Sequence, residues 1–136
     1  ERGCRNALQA AVGMSEALDA LNAELAGDLT EPLRIGIGIH VGPVIVGEMG
    51  YGQARTLTAI GDAVNTASRI ESINKEMKSQ LIVSEDLARR AQVSLDGFAV
   101  QTLDVRGRTE PLLARVIPNA QEIKAALLVT ARRHPN

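Results

Sequence analysis

Residues 33–41 constrain the fold most, because hydrophobic and non-hydrophobic residues alternate strictly there. Such alternation is typical of a β-strand with one apolar face. The opposite face carries Gly36 and Gly38, and glycine weakens a strand unless another backbone or a ligand approaches it closely. We therefore expect close packing against the glycine face. The apolar face is formed by Ile35, Ile37, Ile39 and Val41.

The remaining hydrophobic periodicity predicts the order helix, hairpin, helix, strand, helix, hairpin, helix. The first hairpin would pair the strand at 33–41 with a second strand at 44–47, and the last hairpin would join 98–105 to 112–117. This order indicates an α+β protein with a ferredoxin-like, mainly antiparallel sheet and helices on one face. Helices are predicted at 4–25, 62–78, 84–91 and 120–133, and further strands at 57–60 and 81–83.

The composition excludes several classes of protein. The chain has 136 residues, 45% of them hydrophobic, which suffices for one packed core of about one domain. Tyr51 and Phe98 are its only aromatic residues and the net charge is −1, so no nucleic-acid partner is expected. The single cysteine, Cys4, cannot form an internal disulfide or a thiolate zinc site. No apolar run approaches the roughly 20 residues that cross a bilayer.

The helix that begins at Gly61-Asp62 carries the strongest candidate site. Asp62 is suited to cap the helix, since its carboxylate can accept hydrogen bonds from free amides of the first turn. Asn65 and Arg69 are four residues apart and therefore neighbours on the face opposite the apolar one. That apolar face is predicted to contain Ala63, Val64, Ala67, Ile70, Ile73 and Met77. An amide and a guanidinium near a helix start, after a glycine-rich loop, favour an anion or phosphate site. An ordinary solvated helix face remains the alternative, and His40 is interpreted as a hydrogen-bonded histidine at a strand end.

Three stretches of sequence extend this interpretation. They are LRIGIGIHVGPV at 33–44, LTAIGDAVNTASRIE at 57–71, and VRGR at 105–108. The first resembles the central hairpin of class III nucleotidyl cyclases, the second their strand-turn-helix segment, and the third the basic turn between their last two strands. The resemblance spans about residues 7–117. It implies that residues 1–118 form the C-terminal part of a class III adenylate cyclase catalytic domain and that residues 119–136 form a helical tail.

The resemblance implies conversion of ATP to cyclic AMP and pyrophosphate, with the ribose 3′-hydroxyl attacking the α-phosphorus. By position in the motif, Asn65 would orient the ribose and Arg69 would stabilise charge on the α-phosphate. Either Arg106 or Arg108 would hold the terminal phosphates. Thr58 falls at the position that reads the base and favours adenine over guanine. A threonine selected for its β-strand propensity is the alternative at that position.

The resemblance also implies features that lie outside this sequence. Members of the family hold two Mg²⁺ ions with two aspartates that precede the helix at 4–25, so the ligands and the lysine that helps to read adenine are expected elsewhere in a longer parent. The 136-residue chain alone is expected to have little or no cyclase activity. The parent is expected to act as a homodimer, with metals from one protomer and Thr58, Asn65 and Arg69 from the other.

Two other functions compete with adenylate cyclase. The chain could be a catalytically silent cyclase-like module that only dimerises or binds nucleotide for regulation. It could also be a guanylate cyclase, which Thr58 disfavours. A cytoplasmic location follows from the substrate, and any membrane attachment would come from parent segments outside this sequence.

Overall fold

The computed structural model describes the backbone of residues 1–133 and the side chains of residues 1–129. The helices and strands follow one another along the chain in the order that hydrophobic periodicity predicts. A short 3-10 helix, Ala120–Ile123, precedes the last α-helix. The elements are α1 (Arg2–Glu24), β1 (Ile37–Ile39), β2 (Ile45–Met49), β3 (Thr56–Ile60), α2 (Asp62–Met77), β4 (Leu81–Ser84), α3 (Glu85–Ala91), β5 (Ala99–Leu103), β6 (Leu112–Ile117) and α4 (Lys124–Arg133).

The described strands form two sheets. Four strands lie in the order β1-β4-β6-β5, and β2 pairs with β3 in a separate antiparallel ribbon. β1 and β4 are parallel, whereas β4 with β6 and β5 with β6 are antiparallel. The predicted α+β class is confirmed, and so is the hairpin that joins β5 to β6. The parallel β1-β4 pair makes the main sheet mixed.

The predicted hairpin between residues 33–41 and 44–47 is wrong. β1 covers only Ile37–Ile39 and pairs with β4, while β2 pairs with β3 in the register Ile45 to Ile60. Pairing β1 with β4 aligns Ile37 and Ile39 with two fully buried residues of β4. This burial removes apolar surface from water, and it depends on a contact between distant parts of the chain that local periodicity does not reveal.

Helices cover both faces of the main sheet, whereas the sequence predicts them on one face. Leu81 and Val83 of β4 belong to a buried cluster that contains residues of α1, α3 and α4. Ile82, which lies between them, packs in a second cluster with Ile70 of α2. Since successive side chains of a strand point to opposite faces, α2 lies on the other side of the sheet from those three helices.

The close packing expected at Gly36 and Gly38 is confirmed, and α2 provides it. A Cβ atom at Gly38 would lie 2.5 Å from the backbone nitrogen of Glu71 and 2.7 Å from the carbonyl oxygen of Ala67. A Cβ atom at Gly36 would meet the side-chain oxygen of Glu71 at 2.8 Å. The two glycines therefore let the backbone of α2 lie directly against the strand.

Helix α2 begins as predicted, but its cap and its buried face differ from expectation. Gly61 occupies the N-cap position, and Asp62 is the first helical residue, with no capping hydrogen bond from its side chain. The buried residues of α2 include the polar Thr66 and Asn74 beside Ile70, whereas Val64 and Met77, which were expected on the apolar face, are exposed. The burial of Asn74 is offset by its hydrogen bonds, among them one that its Nδ2 donates to the carbonyl oxygen of Ile37 at 3.0 Å.

The C-terminal residues pack on the main core. Ala120, Ile123 and Leu127 are buried in the cluster that contains α1 and α3. The predicted helical tail at 119–136 corresponds to the 3-10 helix and α4 up to Arg133, and its residues 134–136 lie outside the described part of the chain. Among the helices described, none is both long enough and apolar enough to span a membrane.

Candidate functional site

The first two turns of α2 present Asn65 and Arg69 to solvent. Both side chains are exposed, while Thr66 and Ile70 beside them are buried. Arg69 follows Asn65 by one helical turn, so the amide and the guanidinium are neighbours, as the spacing predicted. The positive end of the helix dipole and the unpaired amides of the first turn add to the attraction for an anion at this end of α2.

The junction between β3 and α2 depends on a glycine. Gly61 has φ 154°, and a Cβ atom there would lie 3.1 Å from the carbonyl oxygen of Pro43. A side chain at this position would therefore crowd the segment that links β1 to β2. Glycine lets β3 pass directly into α2, which fixes where the helix start lies relative to the ribbon.

The guanidinium of Arg69 is held in place by the turn between β5 and β6. Its Nη1 donates a hydrogen bond of 2.8 Å to the carbonyl oxygen of Asp104, the residue that follows β5. This contact joins residues 35 positions apart and brings Arg69 to the basic turn that contains Arg106 and Arg108. The remaining N–H groups of the guanidinium stay available for a ligand, because arginine carries five such donors.

Arg106 and Arg108 have different surroundings. Nη1 of Arg108 lies 2.8 Å from Oδ2 of Asp86, and the two side chains are 38% and 28% exposed. The backbone N–H of Arg108 also donates to the carbonyl oxygen of Val105 at 3.1 Å, which closes the turn. Arg106 is exposed and makes no ion pair with any described residue. Of the two candidates, Arg106 is therefore the one whose charge is not engaged by an acidic side chain.

Thr58 lies apart from this group, on the ribbon. It is half-buried, it pairs with Gly47 in the register of β2 and β3, and its Oγ1 donates to the carbonyl oxygen of Thr56 at 3.3 Å. Within the described residues, no hydrogen bond links it to Asn65 or Arg69. The structure therefore brings Asn65, Arg69 and the basic turn together, and it places Thr58 on the strand that leads into the same helix.

His40 and Ser84 form a contact behind the basic turn. Nδ1 of His40 lies 2.8 Å from Oγ of Ser84, which also accepts a hydrogen bond from the backbone N–H of Leu87 and so caps α3. Burial lowers the pKa of His40 below its usual 6.5; the Asp86 carboxylate opposes this and Arg108 reinforces it. His40 is thus a hydrogen-bonded histidine at the end of a strand, as interpreted from the sequence.

Asp86 was missed by the sequence analysis. Its only local signal is its place in the first turn of α3, where an acidic residue is ordinary because it complements the helix dipole. The contact with Arg108 joins residues 22 positions apart, and no sequence pattern marks it.

The described residues do not fit a magnesium site. No group of three or more histidine, cysteine, aspartate or glutamate side chains lies close enough together, in this part of the chain, to hold a metal ion. Mg²⁺ requires oxygen ligands such as carboxylates in near-octahedral geometry. No step of the chemistry is therefore assigned to a metal held by this chain.

A cavity of about 440 Å³ lies near the C-terminal end of α2. None of Thr58, Asn65, Arg69, Arg106 and Arg108 lines it. Its wall includes Asn22, Arg34, Glu71, Lys75 and Lys78. The candidate site is instead an open surface formed by the start of α2 and the β5-β6 turn.

Comparison with known proteins assigns the family. The profile of the adenylate and guanylate cyclase catalytic domain matches residues 2–115. The chain is 32% identical over 126 residues to a terminal-differentiation-specific adenylate cyclase of Dictyostelium discoideum, covering 90% of this chain and 6% of that protein. It is 36% identical over 114 residues to an adenylate cyclase of Anabaena cylindrica, covering 78% of this chain and 22% of the relative. The chain thus spans less than a quarter of either relative.

A solved structure supports the same assignment. The crystal structure of the guanylyl cyclase Cya2 superposes with a TM-score of 0.69 at 28% identity, covering 84% of this chain and 57% of that one. The matched residues 2–115 include β3, α2 and the basic turn, which carry the candidate site. The chain therefore belongs to the family of adenylate and guanylate cyclase catalytic domains.

Proposed function

We propose that this chain supplies the base-reading and transition-state-stabilising part of an adenylate cyclase, which converts ATP to cyclic AMP and pyrophosphate. The observation that carries the proposal is the placement of Arg69. Its guanidinium is exposed one turn from Asn65, and a hydrogen bond to Asp104 holds it at the basic turn. Fixed positive charge and a neutral amide are thereby grouped at a helix start that attracts anions.

Each side chain has a role that suits its chemistry. Asn65 can donate and accept hydrogen bonds at once, as orientation of a ribose requires. Arg69 offers a planar fork of N–H donors to the α-phosphate, where charge builds during attack by the 3′-hydroxyl. Arg106, which has no acidic partner among the described side chains, holds the terminal phosphates that leave as pyrophosphate. Thr58 contacts the exocyclic amine of adenine.

Nucleotide binding by the 136-residue chain tests this proposal. The guanidinium of Arg69 is proposed to pair with the α-phosphate of bound ATP before the reaction. Titration calorimetry should therefore show that Arg69→Ala weakens ATP binding by about 10- to 100-fold, since a hydrogen bond to a charged group contributes about 1.5–3 kcal/mol. Arg69→Lys should restore little of the loss, because lysine lacks the planar fork. Arg90→Ala is the matched control, because Arg90 is an exposed arginine on α3. Equal ATP affinity in the Arg69 and Arg90 variants would contradict the proposal.

We further propose ATP rather than GTP as the substrate, on the identity of Thr58. ATP should bind more tightly than GTP, and Thr58→Ala should narrow the difference without changing the fold, since the side chain is only half-buried. A preference for GTP in the same titration would assign the chain to guanylate cyclase. No binding of either nucleotide at millimolar concentration would favour the silent dimerisation module.

Catalysis is proposed to need a second set of residues. We infer that the 136-residue chain alone turns over little ATP and that its metal ligands lie in a longer parent, in which residues 1–118 belong to the catalytic domain and 119–136 form a helical tail. Cyclic AMP production by the pure chain with Mg²⁺ would overturn this inference. A cytoplasmic site of action follows from the proposed substrate.

The second partner is proposed to be another copy of the domain, bound through the β2-β3 ribbon. Ile45 is 76% exposed and Leu57 71% exposed, and Val46 and Met49 of the ribbon are exposed as well. The register of the ribbon puts Ile45 and Met49 on one face and Val46 and Leu57 on the other, so each face exposes apolar side chains. Exposed apolar surface of this kind marks interaction surfaces. Ile45→Asp should shift the chain towards monomer in sedimentation experiments. Leu128→Asp on α4 is the matched control, because Leu128 is 64% exposed outside the ribbon, and it should leave the association unchanged. A wild-type chain that sediments as a monomer at every concentration would count against dimerisation.

A further inference from the structure

A chain of contacts links α3 to the guanidinium of Arg69. Oδ2 of Asp86 binds Nη1 of Arg108 at 2.8 Å, and the backbone N–H of Arg108 donates to the carbonyl oxygen of Val105 at 3.1 Å. The neighbouring carbonyl oxygen, that of Asp104, accepts the hydrogen bond from Arg69. The position of the β5-β6 turn therefore determines where Arg69 finds its acceptor.

The base of this chain of contacts is well fixed. Leu87, Ala88 and Ala91 of α3 are buried in the main core, and Oγ of Ser84 caps the helix start. Glu85, next to Asp86, pairs with Arg115 of β6. The turn, by contrast, is exposed from residue 106 to residue 110 and contains Gly107 at φ 85°. An exposed turn with a glycine has little packing of its own to fix it, so a tether to a buried helix has a large effect on its position.

We propose that Asp86 is a positioning residue, whose ion pair with Arg108 fixes the β5-β6 turn so that Arg69 and Arg106 face the triphosphate together. Asp86 does not touch the nucleotide. It engages Arg108, so that Arg106 is the cation of the turn with no acidic partner among the described side chains, and it keeps the carbonyl oxygen of Asp104 in place for Arg69. The proposal rests on the proposed function for the identity of the ligand. The effect of Asp86 on the orientation of Arg69 is independent of that function.

The test combines two readouts on the 136-residue chain. NMR of the arginine Nε–Hε groups reports the orientation of Arg69, and hydrogen exchange of the amides of residues 105–109 reports the stability of the turn. In Asp86→Asn, which preserves the size of the side chain and removes its charge, amide exchange of the turn should accelerate by up to about fivefold, the range expected for a partly exposed ion pair. The Arg69 signal should move towards that of free arginine.

Conservative and control variants separate positioning from general loss of structure. Asp86→Glu retains the charge and should restore both signals, while the urea midpoint of all variants should stay close to that of the wild type. Asp96→Asn is the matched control, since it removes an exposed carboxylate 3.4 Å from Nη2 of Arg115 without touching the turn. ATP affinity should fall severalfold in Asp86→Asn and recover in Asp86→Glu.

The outcomes distinguish this inference from the proposed function. If turn exchange and the Arg69 signal are the same in Asp86→Asn and Asp96→Asn, the inference is overturned. If the wild-type chain binds ATP and the Asp86→Asn variant binds it with the same affinity, the inference is also overturned. If the Arg69 signal moves as expected and the wild-type chain binds no nucleotide, the proposed function fails while the role of Asp86 in orienting Arg69 is supported.

Discussion

Replacing Gly38 by alanine would place a methyl group against the backbone of α2. The new Cβ atom would lie 2.5 Å from the nitrogen of Glu71, 2.7 Å from the carbonyl oxygen of Ala67 and 2.8 Å from the Cα atom of Glu71. Ordinary contact begins at 3.4 Å, so α2 would have to move by about 0.9 Å. Overpacking of this kind costs about 1–3 kcal/mol and outweighs the roughly 0.4–1 kcal/mol that alanine gains by restricting the unfolded chain.

Urea unfolding of three glycine variants measures this cost. For Gly38→Ala the midpoint should fall by about 0.5–1 M, since the slope for small proteins is about 1–3 kcal/mol per M. Gly36→Ala meets the flexible end of the Glu71 side chain, and Gly47→Ala meets no atom within 4 Å, so both should stay near the wild-type midpoint. The ATP affinity of Gly38→Ala should also fall, because displacement of α2 strains the contact between Arg69 and Asp104.

The order of the urea midpoints of the three glycine variants tests whether α2 packs on β1. If Gly38→Ala unfolds at the same urea concentration as Gly47→Ala, then α2 does not rest on β1 as the structure describes. The placement of Asn65 and Arg69 would then lose its structural basis. A lower midpoint for Gly36→Ala than for Gly38→Ala would refute the distinction between backbone and side-chain crowding.

Two further predictions concern the pH dependence of stability and the C-terminal residues. Burial lowers the pKa of His40 in the folded state, so the unfolded chain binds more protons below about pH 6.5. The contribution of His40 to stability should therefore be fully present above that pH and should decline as the pH falls towards the folded pKa. In His40→Gln, the urea midpoint should decline less steeply than in the wild type between about pH 7.5 and 5.5. Parallel curves for the two proteins would contradict this. Ile123→Ala should lower the unfolding free energy by about 2–5 kcal/mol, because Ile123 is fully buried, whereas Leu128→Ala at an exposed position should change it little. Equal effects of the two would show that the C-terminal residues do not share the main core.

The sequence alone predicted most helices and strands, because each depends on local periodicity and on local signals for its ends. The residues 112–117 form β6 as expected, and Ser84 caps α3 through its own side chain. The close approach at Gly36 and Gly38 was also predictable, since glycine in a strand indicates a neighbour without naming it. Asn65 and Arg69 could be grouped from their spacing, because neighbours on a helix follow from its geometry.

Partners across long sequence distances were not predictable in the same way. The first hairpin was wrong because β1 pairs with β4, some 40 residues later, where Ile37 and Ile39 are partly buried against the core. Placement of α2 on the second face follows from Ile82 and Ile70 packing together, which no local pattern shows. The face of α2 that is buried includes Thr66 and Asn74, since tertiary hydrogen bonds offset the cost of burying Asn74.

The sequence by itself determined which side chains this protein has for binding an anion, because a helix start, a glycine turn and the spacing of Asn65 and Arg69 are local properties. The tertiary structure decided how those side chains are oriented. Arg69 finds its acceptor in Asp104, and Arg108 finds Asp86. The physical reason is that an ion pair or hydrogen bond between distant residues forms only after packing of the sheet and helices has brought their backbones together.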